Sequence, residues 1–243
     1  MGFSIAQYEA AINKIDVGLD KLSEKLEELP PAIKKAQSHW YLPGWLKSFL
    51  AWQGRELLKL GKWLLNKSIE LLKGAVAPIL FFKYSYDWEG IHGKATDVQG
   101  SVKPSVLAIP RTWEGAADAD YVKAIVPQPD AAGRVAALSD KVSTSLALCA
   151  SAGLAFYIAL GVIIYQFIGT MAAAIAALCS GIFSWAGFAA GAADSGVTAG
   201  MIWAAISALG VVMGAQAQQM ASIKGDASDN NAFPGGHWPK ATA

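Results

Sequence analysis

Residues Leu146 to Ile168 read LALCASAGLAFYIALGVIIYQFI, a stretch of 23 residues without a charged side chain. At about 1.5 Å per residue, a helix over this stretch is about 34 Å long and can cross a hydrocarbon core of about 30 Å. The stretch lies in a longer charge-free run, Val142 to Ala193, and Asp194 separates that run from a second one, Ser195 to Ile223. The part 142–223 is therefore predicted to form membrane-spanning helices.

This apolar part has room for two or three membrane spans. Thr170 to Ala193 is a second span-length segment, and Met201 to Gln216 belongs to a third. The strongest turn signal is Asp194-Ser195-Gly196, and a carboxylate at a bilayer centre costs about 2.5–3.5 kcal/mol. We therefore predict a helical hairpin with its tip at Asp194. Its ascending arm is either one long helix or two spans that separate near Gly169-Thr170.

Glycines recur in the apolar part at the four-residue spacing that lets two helices approach closely. They form three Gly-x-x-x-Gly pairs: Gly187 and Gly191, Gly196 and Gly200, and Gly210 and Gly214. We predict that these pairs support tight helix–helix packing. A water-soluble helical bundle is the alternative, but it would expose one face of each helix, and neither run offers a charged residue for that face.

The charge distribution excludes several functional classes. Of the 39 charged residues 34 precede Val142, and the net charge is +1, so nucleic-acid binding is not expected. Two cysteines in 243 residues exclude a disulfide-dense scaffold. No catalytic, dinucleotide-binding or phosphate-binding motif occurs, and the three histidines lie in separate segments. No enzyme activity, cofactor, metal or small-molecule substrate is predicted.

The first segment carries a heptad pattern. Its apolar residues alternate in spacing between three and four, which is the seam of a helix that packs along another helix. The seam residues are Ile5, Tyr8, Ile12, Ile15, Leu19, Leu22, Leu26 and Leu29. Pro30-Pro31 is predicted to end this helix. The partner of the seam is either a helix of the same chain or a separate subunit.

A basic second helix is predicted over Trp45 to Lys73. Lys34 to Lys73 has a net charge of +6, whereas Met1 to Leu29 has a net charge of −3. One broad face carries Trp45, Phe49, Trp52, Leu60, Trp63 and Leu64. This helix either packs against the acidic first helix or lies on an anionic membrane surface, and the two need not exclude each other.

These features predict an all-α fold in four parts. An amphipathic helix pair occupies 1–73, an irregular or helical region 74–141, an apolar transmembrane hairpin 142–223 and a flexible tail 224–243. Within the second part, glycines and prolines are expected to leave only short helical pieces up to Ile109. Asp130 is expected to N-cap a helix that continues into the apolar part.

The segment Thr112-Trp113-Glu114-Gly115-Ala116-Ala117-Asp118-Ala119-Asp120-Tyr121 resembles the W-x-G family of type VII secretion substrates and partners. The later residues Gln128, Ala131-Ala132 and Phe233-Pro234-Gly235-Gly236-His237-Trp238-Pro239 are similar to long members that contain a membrane hairpin. The resemblance implies a bend between two helices at Trp113, Glu114 and Gly115. Glycine would permit a positive φ there, and tryptophan would offer a large apolar face. A second copy, Trp88-Glu89-Gly90, ranks lower as the bend.

The resemblance implies a non-enzymatic protein that is associated with type VII secretion and located in the cell membrane or envelope. The family's export signal, Tyr-x-x-x-Asp/Glu, is missing, because Tyr121 is followed four residues later by Ile125. A partner would then supply the signal, or the protein would stay in the envelope. Its expected partners are membrane lipid and either a helical protein or a second copy. The alternatives are a pore-forming toxin that oligomerises through the glycine pairs and an integral membrane scaffold that is never exported.

Overall fold

The computed structural model describes residues 3–108, 112, 114–179, 185–228 and 230–241, with the backbone alone over 185–198. Its α-helices are α1 Ile5–Gln37, α2 Gly44–Leu72, α3 Ala77–Ser101, α4 Ala116–Ile125, α5 Pro127–Cys179 and α6 Trp185–Ala227. A 3-10 turn, Pro234–Gly236, follows. The described residues contain no strand, which confirms the predicted all-α class.

Helix α1 continues past its two prolines. Pro30 and Pro31 lie inside the helix, which ends at Gln37, so the prediction that they end it is wrong. A proline inside a helix removes one backbone hydrogen bond. Ala32 and Ala36 extend the buried stripe of the helix beyond the prolines. Packing of this buried stripe outweighs the tendency of proline to end a helix. The sequence pattern alone does not show how strong that packing is.

Helix α3 is a single helix of 25 residues, not the short pieces that the sequence predicted. Gly90 and Gly93 lie inside it, and no described atom lies within 4 Å of the position that a Cβ would take at either residue. A glycine costs a helix only about 1 kcal/mol, which neighbouring residues can offset. Trp88-Glu89-Gly90 therefore lies within a continuous helix and forms no bend.

Helix α5 is continuous over 53 residues. It begins at Pro127, where the missing N–H of proline would have had no helical partner. Asp130 lies in its first turn, so the prediction that Asp130 precedes the helix as its N-cap is wrong. The helix runs through Gly169-Thr170 without a break, so the ascending arm is one long helix.

Helix α6 includes the residues that were predicted to form the hairpin tip. It begins at Trp185 and passes through Asp194-Ser195-Gly196 without interruption, so the predicted tip at Asp194 is wrong. The segment between α5 and α6 is 180–184, which lies outside the described residues. A three-residue turn signal is weak beside alanine-rich flanks that favour a helix on both sides.

The chain forms two compact units. The first consists of Met1–Pro78 and Ser151–Val211, and the second of Ile79–Ala150 and Val212–Ala243. In the first unit α1 packs along α2, and the second half of α5 packs on α1 and α2. Its largest buried side chains include Ile15, Leu22, Leu29, Leu50, Leu64, Leu160, Ile164 and Phe167.

In the second unit, α3 and the end of α6 contact the first half of α5. The Ser143 hydroxyl donates to the Ser85 carbonyl oxygen at 2.9 Å, which joins α5 to α3. Asp226 of α6 pairs with Arg134 at 3.1 Å and with Lys141 at 2.8 Å, both on α5. The end of α6 therefore returns to the beginning of α5, as in a helical hairpin.

Candidate functional site in the apolar helices

The apolar helix α5 has one face covered by the amphipathic helices. The most apolar 18-residue window of Ala116–Cys179 has a mean hydropathy of 2.2 and is 56% buried. A Cβ placed on Gly18 of α1 would lie 3.0 Å from Ile164 Cγ2 of α5, and one on Gly161 of α5 would lie 3.5 Å from Ile15 Cγ1 of α1. The backbones of α1 and α5 therefore approach closely.

The opposite face of α5 is exposed and mostly apolar, and Gln166 is an exposed polar residue on it. Ile158 and Val162 are 46% and 42% exposed, and Ala155 and Ala173 on the same face are exposed as well. A helix at the surface of a water-soluble protein normally carries charged or polar residues on its outer face. Over 155–176 the exposed residues of α5 include no charged side chain.

Helix α6 has even less of its apolar surface covered. The most apolar 18-residue window of the span-length segment Ala199–Ala227 has a mean hydropathy of 1.5, and only 6% of it is buried. Trp203 and Val211 are 56% and 73% exposed, while Ile202 is buried. The described residues thus contain two helices that are long and apolar enough to cross a membrane.

Most of the predicted seam of α1 is buried within the chain. Its buried members are Tyr8, Ile15, Leu19, Leu22, Leu26 and Leu29. Ile12 is half-buried, whereas Ile5 at the start of the helix is 44% exposed. In the structure this seam contacts α2 and α5 of the same chain. Gly18 permits the close approach to α5. It was not predicted, because it has no apolar side chain and does not belong to the seam.

Helix α2 packs through a different face from the predicted one. The buried stripe consists of Leu46, Leu50, Gly54, Leu57, Gly61, Leu64 and Ser68. Of the predicted aromatic face only Leu64 is buried, and Trp45 and Trp52 are 64% and 51% exposed. The residues of this stripe are three or four positions apart, as in a seam. Two of them are glycines and one is a serine, so the apolar pattern is interrupted and the stripe was not predicted. A Cβ on Gly61 would lie 2.5 Å from Leu26 Cδ2 of α1, which shows how tightly this stripe packs.

Two buried tyrosines join α1 and α5 to the end of α2. Tyr8 donates its hydroxyl hydrogen to the Ala75 carbonyl oxygen, and Tyr157 donates to the Leu71 carbonyl oxygen at 2.9 Å. The two rings meet edge to face with centroids 5.6 Å apart. Burial raises the pKa of Tyr8, and the neighbouring Tyr157 raises it further. The sequence placed Tyr8 in the seam, but no pattern distinguished Tyr157 from Ser151 and Tyr165, which also carry hydroxyl groups in Leu146 to Ile168.

The predicted Gly-x-x-x-Gly pairs all lie along α6. They are Gly187 and Gly191, Gly196 and Gly200, and Gly210 and Gly214. The surroundings of the first three glycines lie outside the described residues. At the last three, no described atom lies within 4 Å of the position of a Cβ. No described helix of this chain packs on these three glycines, and the predicted helix–helix packing of the pairs stays a prediction.

The W-x-G residues are described only in part. Trp113 lies outside the described residues, and Glu114 is exposed. Gly115 precedes α4 as its N-cap and has a φ of 107°, in the region that favours glycine. The bend around Trp113 therefore stays a prediction.

The tail contacts the beginning of α5 in the second unit. Gln128 donates from Nε2 to the Pro239 carbonyl oxygen at 3.1 Å, and Pro239 is buried. Gly235 and Gly236 have φ values of 64° and 77°, which allow the tight turn before it. Two pieces of sequence that carry the family resemblance, Gln128 and the tail, thus lie in contact.

The described residues show no arrangement suited to metal chemistry. They contain no group of three or more His, Cys, Asp or Glu side chains that could hold a metal ion. Comparisons with protein-family models, with curated proteins and with solved structures give no match for this chain. A functional proposal therefore depends on the residues and their geometry.

Proposed function

We propose that this chain is a non-enzymatic helical protein that inserts α5 and α6 into a membrane. The observation that carries the proposal is the bare surface of α6, where a charge-free helix from Ala199 to Ile223 is 6% buried in its most apolar window. Apolar surface in water costs about 25 cal/mol per Å². A lipid bilayer removes that cost, and about 37 Å of helix suffices to span it.

The proposed inserted element is a hairpin whose polar ends lie on one side of the membrane. Asp226, at the end of α6, pairs with Arg134 and Lys141 at the beginning of α5. The apolar runs of both helices lie beyond these charges. Two spans that leave and return to the same side keep this ion-pair cluster in water, where charged groups are stable.

Insertion of α5 requires α1 and α2 to separate from it. The two amphipathic helices carry most of the charged residues of the first unit and cannot follow α5 into hydrocarbon at low cost. Lipid would replace the contacts that Ile164 and Phe167 make with α1 and α2. We therefore propose that α1 and α2 act as a removable cover of α5.

A fluorescent probe on α6 tests the proposal. In a background with Cys149→Ala and Cys179→Ala, Val211→Cys carries an environment-sensitive dye, and Ser228→Cys beyond the apolar run carries the same dye as the control. We expect the emission of the Val211 probe to shift to the blue with lipid vesicles and to be quenched by spin-labelled acyl chains. The Ser228 probe should stay in water. A Val211 probe that stays in water as well would contradict insertion.

We further propose an association with type VII secretion, which the resemblance of 112–121 and 233–239 supports. Deletion of the secretion ATPase in the producing bacterium should abolish export of the protein, while a substrate of the general secretory route should still be exported. Export that continues without the ATPase would remove this part of the proposal. A protein that stays in the cell membrane in both strains would be the unexported scaffold.

Pore formation is a second candidate, favoured by the open glycines of α6. Gly210 and Gly214 form a pair at which no described atom lies within 4 Å of a Cβ position. Such a surface allows close contact with α6 of another copy. If pores form, vesicles should leak an entrapped dye, and Gly210→Leu with Gly214→Leu should reduce the leakage. Leucines at Gly90 and Gly93 of α3 are the matched control and should leave it unchanged.

A further inference from the structure

Helix α2 has two different faces. Its leucine and glycine stripe packs within the first unit, and the opposite exposed face carries Trp45, Trp52, Arg55, Lys59 and Lys62. Residues that recur every three to four positions share one face of a helix. We call these five residues the tryptophan–lysine strip. The sequence could not assign the tryptophans to packing or to the surface, whereas the structure leaves them exposed.

The strip lies in a strongly basic segment. Lys34 to Lys73 has a net charge of +6. Its two carboxylates already have lysine partners: Glu56 pairs with Lys59 at 2.8 Å, and Glu70 pairs with Lys67 at 2.9 Å. The excess of cations therefore remains available to an external anion. Even with the net charge of −3 of Met1 to Leu29 included, the two-helix segment stays positive.

Exposed aromatic residues extend the strip beyond the start of α2. Trp40 is 91% exposed and Tyr41 is 47% exposed, and both lie in the connection that leads into α2. Tryptophan and tyrosine have an apolar ring with one polar group, which suits the boundary between lipid headgroups and acyl chains. The rings of Trp40 and Tyr41 contact each other edge to face, with centroids 6.2 Å apart, and both remain exposed.

We propose that the tryptophan–lysine strip binds the headgroup layer of an anionic lipid membrane. The tryptophans enter the interface, and Arg55, Lys59 and Lys62 contact the negatively charged headgroups. Helices with aromatic and basic residues on one face bind membranes in this way. The inference rests on the proposed membrane insertion and names the lipid class that the protein meets first.

Flotation of the full chain with lipid vesicles tests the strip. Binding should be strong on phosphatidylcholine vesicles that contain phosphatidylserine, weak on phosphatidylcholine alone, and reduced by salt. Each basic residue near an anionic surface strengthens binding about fivefold, so Lys59→Gln with Lys62→Gln should weaken it about 25-fold. Trp45→Ser with Trp52→Ser should weaken binding about tenfold on the same vesicles.

Matched variants in the second unit are the controls. Lys94→Gln with Lys123→Gln removes the same charge from exposed positions of α3 and α4 and should leave binding unchanged. Trp88→Ser with Trp238→Ser removes two other exposed tryptophans and should also leave binding unchanged. Circular dichroism checks that each variant keeps the helix content of the parent protein.

Three results of the binding assays would overturn the inference. The first is equal binding to neutral and anionic vesicles, and the second is unchanged binding by either strip variant. The third is tighter binding to duplex DNA than to the anionic vesicles, since that would make the strip a nucleic-acid surface.

The Val211 probe separates this inference from the proposed function. Vesicle binding that needs the strip but leaves the Val211 probe in water supports the strip and contradicts insertion. If the Val211 probe is buried to the same extent in the strip variants as in the parent protein, insertion is supported and the inference that the strip binds the membrane is overturned.

Discussion

At the scale of single residues, buried hydroxyl groups hold the cover to α5. Tyr8 and Tyr157 are 1% and 5% exposed, and each donates to a carbonyl oxygen at or just beyond the end of α2. The last carbonyls of a helix lack donors from the next turn. Tyr8 supplies a donor to the Ala75 carbonyl, and Tyr157 adds a second donor to the Leu71 carbonyl, which also accepts from the Gly74 amide at 3.1 Å. One pair of tyrosines therefore connects α1, α2 and α5.

Removal of the Tyr8 hydroxyl should weaken this connection. We expect Tyr8→Phe to lower the free energy of unfolding by about 1–2 kcal/mol, because the Ala75 carbonyl then lacks its donor. Urea unfolding followed by circular dichroism measures the change. Tyr84→Phe removes a hydroxyl from an exposed ring of α3 and is the control. An unchanged midpoint for Tyr8→Phe would mean that the hydrogen bond contributes nothing to stability.

Asp226 should make the second unit sensitive to acid. Hydrogen bonding to Lys141 and the nearby positive charges of Lys141 and Arg134 lower the pKa of Asp226. A lowered pKa stabilises the folded state at pH values above the ordinary aspartate pKa of about 3.9, and this stabilisation is lost as the pH falls through the lowered value.

Asp226→Asn tests this pH dependence. The variant should unfold at lower urea concentration than the parent protein at pH 7, and the two midpoints should converge as the pH falls below about 4. Asp97→Asn, at an exposed position of α3, is the control and should track the parent protein. A difference that persists unchanged in acid would assign the effect of Asp226→Asn to something other than its charge.

At the scale of elements, glycines set the contacts among the first-unit helices. Gly18 of α1 and Gly61 of α2 both lie where another helix is in direct contact. At Gly61 a Cβ would lie 2.5 Å from Leu26 Cδ2 and 3.2 Å from Phe167 Cε1. These glycines bring α1, α2 and α5 together, whereas Gly200, Gly210 and Gly214 of α6 have open space beside them.

Leucine at Gly61 should disrupt this packing. We expect Gly61→Leu to destabilise the protein by about 1–3 kcal/mol through overpacking against Leu26 and Phe167. Gly90→Leu is the matched control, since Gly90 lies inside α3 beside open space. Thermal unfolding compares the two. Equal melting temperatures would mean that α2 can move away from α1 and α5 without cost.

Long periodic patterns predicted the helices of this chain better than short local signals did. The seam of α1 and the apolar run of α5 were predictable, since each repeats one period over many residues. The continuation past Pro30 and the helix through Asp194 were not, because long-range packing and flanking helix propensity outweigh a short local signal. The buried stripe of α2 was missed because Gly54 and Gly61 replace apolar side chains where helices approach most closely.

At the scale of the whole molecule, the proposal depends on the separation of α1 and α2 from α5. The seam of α1 could not show whether its partner helix lies in the same chain or in another molecule. Either partner would bury the same seam residues. Contacts such as Gly18 with Ile164 place the partner in this chain. The structure therefore describes a form in which α5 is partly covered, and a membrane would compete for that surface.

A disulfide between α1 and α5 should prevent insertion. A Cβ on Gly161 lies 3.5 Å from Ile15 Cγ1, so Ile15→Cys with Gly161→Cys places two thiols near disulfide distance in the background without native cysteines. We expect the oxidised protein to bind anionic vesicles while the Val211 probe stays in water. Reduction should restore burial of the probe. Burial of the Val211 probe in the oxidised protein would contradict the proposal that α1 must separate from α5 before insertion.

The two prolines inside α1 make one end of the cover easy to monitor. Neither Pro30 nor Pro31 has an amide hydrogen, so the carbonyls of Leu26 and Glu27 lack their usual helical donors. The turns from Ala32 to Gln37 are thus joined to the rest of α1 by two fewer backbone hydrogen bonds, and the burial of Ala32 and Ala36 contributes to holding them. Loss of those neighbours would unwind this end first. Faster amide deuterium exchange over Ala32 to Gln37 than over Ile12 to Leu22 would then be the earliest sign that the protein has begun to open.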